Sequence, residues 1–231
     1  MIRAGPVNSL LPYYKQLAAG MEESHNIQIK VCGMRDPRNL EQLCALHPEY
    51  IGFIFYPPSP RFVGSRPDPA LFRIPGPGIK KVGVFVDEEL HRVRQAIELF
   101  GLDAVQLHGH ESVDYCRQLA PARVEILKVL DPREPALETG GYPEVADLFL
   151  FDSAGAGKGG TGLKFDWTLL EDLPLQLPFL LSGGIGPGDA GRLRSLGHPG
   201  FRGIDVNSRF ELSPGLKDME LLKTFIMEIR K

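Results

Sequence analysis

From residue 27 onward, short runs of β-branched and aromatic residues alternate with longer segments whose apolar positions recur every three to four residues. A period of two marks a strand and a period near 3.6 a helix, so the alternation predicts repeated βα units around a parallel sheet. Eight strands are expected, over 27–32, 50–55, 80–86, 104–108, 124–130, 148–152, 179–183 and 203–207. Helical periods occupy 37–47, 88–100, 111–120, 132–140, 187–197 and 217–230, with weaker ones over 67–74 and 166–173. Eight strict repeats over this length favour a single α/β domain, a closed (β/α)8 TIM barrel, with an open doubly wound sheet as the alternative.

Residues 1–26 precede the first strand and have no place in an eightfold count. Rich in breakers, they are expected to form a poorly ordered N-terminal extension, to cap the bottom of the barrel, or to be absent if translation begins at Met21. No linker-like shift in composition interrupts 27–231, which is read as the barrel domain.

Strand parity brings in the chemistry. In the first strand Ile27, Ile29 and Val31 form the apolar set that faces helices, which turns Gln28, Lys30 and Cys32 inward. Cys32 stands at the C-terminal end, where barrel enzymes place their reacting groups. The ends of other strands carry Gln106 and His108, Asp152, and Asp205 with Asn207. A single polar residue at a strand end is ordinarily just solvated; several on different strands imply a shared mouth. Two glycine-rich stretches follow strands six and seven, SAGAGKGGTG over 153–162 and SGGIGPGDA over 182–190. Free backbone N–H groups there suit a phosphate, which selects Gly160, Gly162, Gly183 and Gly184, together with Asn207 and Ser208 after the last strand.

Composition narrows the partners. The formal charge is −3, with 29 acids against 26 Lys and Arg, so no basic surface for nucleic acid is expected. No segment approaches the roughly 20 apolar residues that span a bilayer, and the first 20 residues lack the apolar core of a secretory signal. Three widely spaced cysteines, Cys32, Cys44 and Cys116, suit neither a disulfide framework nor a zinc site, which points to a reducing cytoplasm and to no metal.

Several segments, in order, carry a family resemblance: KVCGM (30–34), GFIFYPPSPRFV (52–63), VGVFVDE (82–88), VQLHGHE (105–111), FDS (151–153), GGTGLKFDW (159–167), LSGGI (181–185) and DVNSRFE (205–211). Along nearly all of 27–231 the chain resembles the phosphoribosylanthranilate isomerases. The resemblance implies an enzyme of tryptophan biosynthesis that works without a metal or organic cofactor on a small phosphorylated substrate, N-(5-phosphoribosyl)anthranilate. Association with other enzymes of that pathway is a further implication. The reaction is an Amadori rearrangement, in which an acid protonates the ribose ring oxygen and a base removes the C2 proton.

The resemblance assigns Cys32 as base and Asp152 as acid, with Arg61 on the anthranilate carboxylate and Gln106, His108 and Asp205 in the substrate pocket. A free cysteine titrates near about 8.5, so Lys30, on the same strand face, is the cation expected to favour the thiolate. The last motif departs from the family's usual DVSSGVE: Asn207 replaces a serine and Arg209 a glycine. A glycine there suggests positive φ or close backbone approach, which an arginine would strain, whereas its charge would favour a phosphate. The competing functions are other phosphosugar-binding barrel enzymes, such as indole-3-glycerol-phosphate synthase, and a non-catalytic homologue that binds phosphorylated ligands. The pairing of Cys32 with Asp152 disfavours the former, and the altered 207–210 segment keeps the latter open.

Overall fold

The computed structural model describes residues 27–131, 133, 140–152, 166–170, 175 and 177–231. All eight expected strands form: β1 (Gln28–Cys32), β2 (Tyr50–Ile54), β3 (Lys80–Phe85), β4 (Ala104–Leu107), β5 (Glu125–Leu130), β6 (Leu148–Phe151), β7 (Phe179–Leu181) and β8 (Phe201–Val206). Each pairs in parallel with the next, and β8 returns to β1, so the sheet closes into a barrel and the open-sheet alternative falls. The helices are α1 (Pro37–Cys44), α2 (Leu90–Phe100), α3 (Val113–Leu119), α4 (Ala190–Arg194) and α5 (Met219–Ile229). The two weak helical patterns become short 3-10 turns, Pro69–Arg73 and Trp167–Leu170. The extension over 1–26 lies outside the described residues, as does nearly all of the helix expected over 132–140.

The alternation read from the sequence sorts side chains as a barrel requires. Tyr50, Val82, Ala104, Leu127, Leu148 and Leu180 meet inside as one apolar cluster, whereas Ile29, Val31, Phe53, Val105, Phe149 and Phe151 pack outward in the helix layer. Full burial of each large apolar side chain is worth about 1.5–3 kcal/mol, and a slip of one residue in register would swap the barrel-filling set with the helix-facing set and break the packing of both. Helix starts are set locally. Asp36 accepts from Asn39 N at 2.8 Å with Pro37 in the first turn of α1, and Asp218 accepts from Leu221 N at 3.1 Å at the start of α5.

One element had no counterpart in the sequence reading. After β8 the chain makes a 3-10 turn, Ser208–Phe210, and then a small antiparallel hairpin, β9 (Glu211–Ser213) and β10 (Leu216–Lys217). Asn39, on the buried side of α1, anchors it: its Oδ1 accepts from Lys217 N at 2.8 Å and its Nδ2 donates to Lys217 O at 2.9 Å. Strands of two or three residues leave no period to detect.

Candidate active site

A cavity of about 300 Å³ opens at the C-terminal end of the strands. Its wall includes Cys32 from β1, Arg61 from the loop after β2, Gln106 and His108 from the end of β4, Asp152 after β6, Gly183 and Gly184 after β7, and Asp205, Asn207 and Ser208 from β8 and its loop. Ten of the expected site residues therefore share one space; Lys30 lies buried beneath it, and Gly160 and Gly162 fall outside the described residues. The floor is apolar, formed by Cys32, Ile54 and Val84 with Tyr56 packed against them.

Lys30 Nζ, beneath the cavity, donates to Asp205 Oδ1 at 2.9 Å, and Ser182 Oγ, in the cavity wall beside Asp205, donates to Asp205 Oδ2 at 3.4 Å. Burial works against the Lys30 ammonium, but the Asp205 and Cys32 charges outweigh it and hold its pKa above the ordinary lysine value. Burial also raises the Asp205 carboxyl, more than Lys30 takes back. The expectation that Lys30 would tip Cys32 toward the thiolate meets a stronger opposing effect. Burial pushes the Cys32 thiol above its ordinary value, and the cations Lys30 and Lys217 recover only part of that shift while Asp205 adds to it.

His108 Nε2 lies 3.8 Å from Asp152 Oδ2, beyond hydrogen-bond range. Gln106 Nε2 stands 3.3 Å from His108 Nδ1. With the amide donating to Nδ1, the proton of the neutral ring sits on Nε2. Burial keeps the ring neutral by lowering its pKa, despite the nearby Asp152 and Asp205. Among the described residues, His108 Nε2 and Gln106 Oε1 are buried with no hydrogen-bond partner. Both residues line the cavity, where a ligand hydroxyl would satisfy them.

The third group centres on Arg61, whose Nε and Nη2 donate to both oxygens of Glu211 at 2.9, 3.0 and 2.6 Å. Lys217 Nζ donates to Glu211 Oε1 at 2.8 Å and to Asn207 Oδ1 at 2.7 Å. Burial lowers the Lys217 ammonium although Glu211 opposes it, and on Glu211 the reverse holds: Arg61 and Lys217 overcome burial and hold the carboxyl below its usual range. Gly33, at φ +82°, makes this crowding possible, since a Cβ there would lie 2.6 Å from Arg61 Cδ and 3.0 Å from Asn207 Oδ1. Sequence reasoning missed Glu211 and Lys217 as site residues, although Glu211 closes the DVNSRFE motif.

Gly183 and Gly184 line the cavity with φ of +84° and +66°, a left-handed backbone that glycine adopts without strain. Arg209 does not take the positive φ that a glycine at this position suggests. It sits within the 3-10 turn, and the non-glycine residues with positive φ among those described are His47, Asp87 and Arg123. Arg209 itself lines the cavity.

A family model described as N-(5'phosphoribosyl)anthranilate (PRA) isomerase matches residues 29–228. The chain belongs to the phosphoribosylanthranilate isomerase family. An isomerase of that name from Parabacteroides distasonis is 43% identical over 204 residues, covering 87% of this chain and 92% of that protein. One from Phocaeicola vulgatus is 40% identical over 205 residues, covering 88% of this chain and 98% of the relative. A solved phosphoribosyl anthranilate isomerase from Thermotoga maritima superposes with a TM-score of 0.75 at 29% identity, over 88% of this chain and 98% of that one. Another solved isomerase, in complex with reduced 1-(o-carboxyphenylamino)-1-deoxyribulose 5-phosphate, gives 0.72 at 27% identity over the same 88% and 98%. The span matched to the isomerase family contains the whole cavity wall described above. Among the described residues no helix is long and apolar enough to cross a membrane, and no group of three or more His, Cys, Asp or Glu is placed to hold a metal ion.

Proposed function

We propose that this chain converts N-(5-phosphoribosyl)anthranilate to 1-(2-carboxyphenylamino)-1-deoxyribulose 5-phosphate, with Cys32 and Asp152 as the proton-transfer pair. The observation that carries the reading is one cavity lined by a thiol and a carboxyl at the ends of two strands, with Gly183 and Gly184 in the same wall. Asp152, as the acid, gives a proton to the ribose ring oxygen as the C1–O bond breaks, and the anilino nitrogen lone pair forms the C1=N iminium. That electron sink acidifies the C2 hydrogen. The Cys32 thiolate removes it, the C–H electrons form a C1–C2 double bond, and the enolamine tautomerises to the 2-ketone. The enzyme's groups exchange only protons while the electron pairs shift within the substrate, so the chemistry consumes no external oxidant or reductant.

The other residues serve binding. The His108 Nε2–H and the Gln106 carbonyl oxygen face sugar hydroxyls. Gly183, Gly184, Asn207 and Ser208 hold the phosphate, with Gly160 and Gly162 assigned there by motif alone. Arg61 takes the anthranilate carboxylate, a task suited to a planar, two-pronged donor. Lys30 and Asp205 lie under Cys32, where the ammonium stabilises the thiolate when it forms. The same reading places the reaction in the cytoplasm, where Cys32, Cys44 and Cys116 stay free thiols, beside other enzymes of tryptophan biosynthesis.

The test is growth of a tryptophan auxotroph that lacks this isomerase. The full chain restores growth, and the Cys32→Ala chain does not. Absence of growth with the unaltered chain present at a normal level favours the non-catalytic homologue instead.

A further inference from the structure

The Arg61 guanidinium has two edges that can each meet a carboxylate, Nε with Nη2 and Nη1 with Nη2. Glu211 fills the first with three contacts of 2.6–3.0 Å. Nη1 makes no hydrogen bond to a described residue, and Arg61 lines the cavity. An isolated Arg–Glu pair would be neutral. Here a second cation shares the same carboxylate: Lys217 Nζ, its side chain fully buried, reaches Glu211 Oε1 at 2.8 Å, and its other side-chain contact, Asn207 Oδ1, is also an acceptor. Two acceptors suit the ammonium form, so two positive groups stand against one negative group.

A buried excess charge is costly unless an opposite charge joins it. The cavity is the side from which a ligand anion reaches Arg61. The hairpin that carries Glu211 and Lys217 is itself fixed: Gly215 N donates to Glu211 Oε1 at 3.1 Å, and Asn39 clasps the Lys217 backbone on both sides. The arrangement is therefore held from α1 through the hairpin to the guanidinium.

We propose that Glu211, with Lys217, is a positioning residue for substrate recognition: it grips one edge of Arg61 and leaves the other edge, and the cluster's net positive charge, for a carboxylate in the cavity. This rests on the reading that Arg61 receives the ring carboxylate of the substrate.

The test measures Kd by calorimetry on the full chain for two ligands, the reduced product analogue and its anilino counterpart without the ring carboxylate. The unaltered chain prefers the carboxylated ligand. Arg61→Ala removes that preference, and Glu211→Gln reduces it by about tenfold or more, because the lost grip on the guanidinium outweighs the gain in net positive charge. Glu211→Asp, which keeps the charge but shortens its reach, restores part of the preference. Adding Glu211→Gln to Arg61→Ala changes the ratio no further, because Glu211 acts through Arg61. A merely structural role would weaken both ligands alike and leave the ratio unchanged. If Arg61→Ala abolishes the preference and Glu211→Gln retains it, the inference is overturned while the role of Arg61 stands. If Arg61→Ala retains the preference, the reading beneath it fails first. Should Glu211→Gln not fold, Lys217→Met decides: Glu211 then neutralises Arg61, so the preference falls by a similar factor, and an unchanged preference overturns the inference.

Discussion

Lys30 and Asp205 are register partners across the β1–β8 seam that closes the barrel, and their side chains meet inside it at 2.9 Å with almost no exposure. The closing step of the fold thus also builds the charged layer beneath the reacting thiol. Cys32 follows two residues later on the same strand face, at the level of Gly52 on β2.

Removing one partner of this pair leaves the other buried and uncompensated. Lys30→Met is expected to cost about 3–5 kcal/mol of stability, read from urea denaturation. It also withdraws a cation that lowers the Cys32 pKa, so the thiolate fraction falls and alkylation of Cys32 by iodoacetamide at pH 8 slows. Alkylation that is unchanged or faster, mapped to Cys32 by mass spectrometry, would show that Lys30 does not act on the thiol.

Cys32→Ala and Asp152→Asn each remove one proton-transfer role and are expected to lower kcat by at least about 10²-fold with the fold intact. Cys32→Ser should be nearly as damaging, because a hydroxyl is a far weaker acid than a thiol. Near-normal turnover in either of the first two variants would sink the assigned mechanism.

Glu211 links the site to stability in acid. Burial alone would raise its pKa, but Arg61 and Lys217 reverse this, so the folded value lies below the unfolded one. Such a group stabilises the fold above the unfolded pKa, and that contribution is lost as pH falls through the folded pKa. Between pH 7 and pH 3 the unaltered chain should therefore lose more stability than Glu211→Gln, which has no carboxyl to protonate. Parallel curves of unfolding free energy against pH would contradict the assignment.

The barrel closes without residues 1–26, because β1 and β8 pair with each other and offer no free edge to an added strand. The reacting groups stand at the opposite end of the strands from Ile27. A chain started at Met21 is expected to keep its melting temperature and kcat/KM. A loss of more than about 1 kcal/mol, a shift of a few degrees for a chain of this size, would show that the removed segment supports the barrel.

What the sequence determined by itself was the set of strands and the face of each residue. A period of two assigns a side chain to one face of a strand however the chain later folds, so Lys30 and Cys32 were legible as inward-facing from local pattern alone, and Gln106, His108, Asp152 and Asp205 as polar residues at strand ends that share a mouth. Only the tertiary structure decided which of them meet. Lys30 finds Asp205 across 175 positions and Arg61 finds Glu211 across 150, separations over which no local period carries information. The same limit hid the hairpin at 211–217, whose strands are too short to show alternation and whose place is set by Asn39 on a distant helix. It also hid the direction of the Cys32 shift. A neighbouring lysine on the strand is visible in sequence, but the desolvation that outweighs it depends on how completely the closed barrel removes the thiol from water.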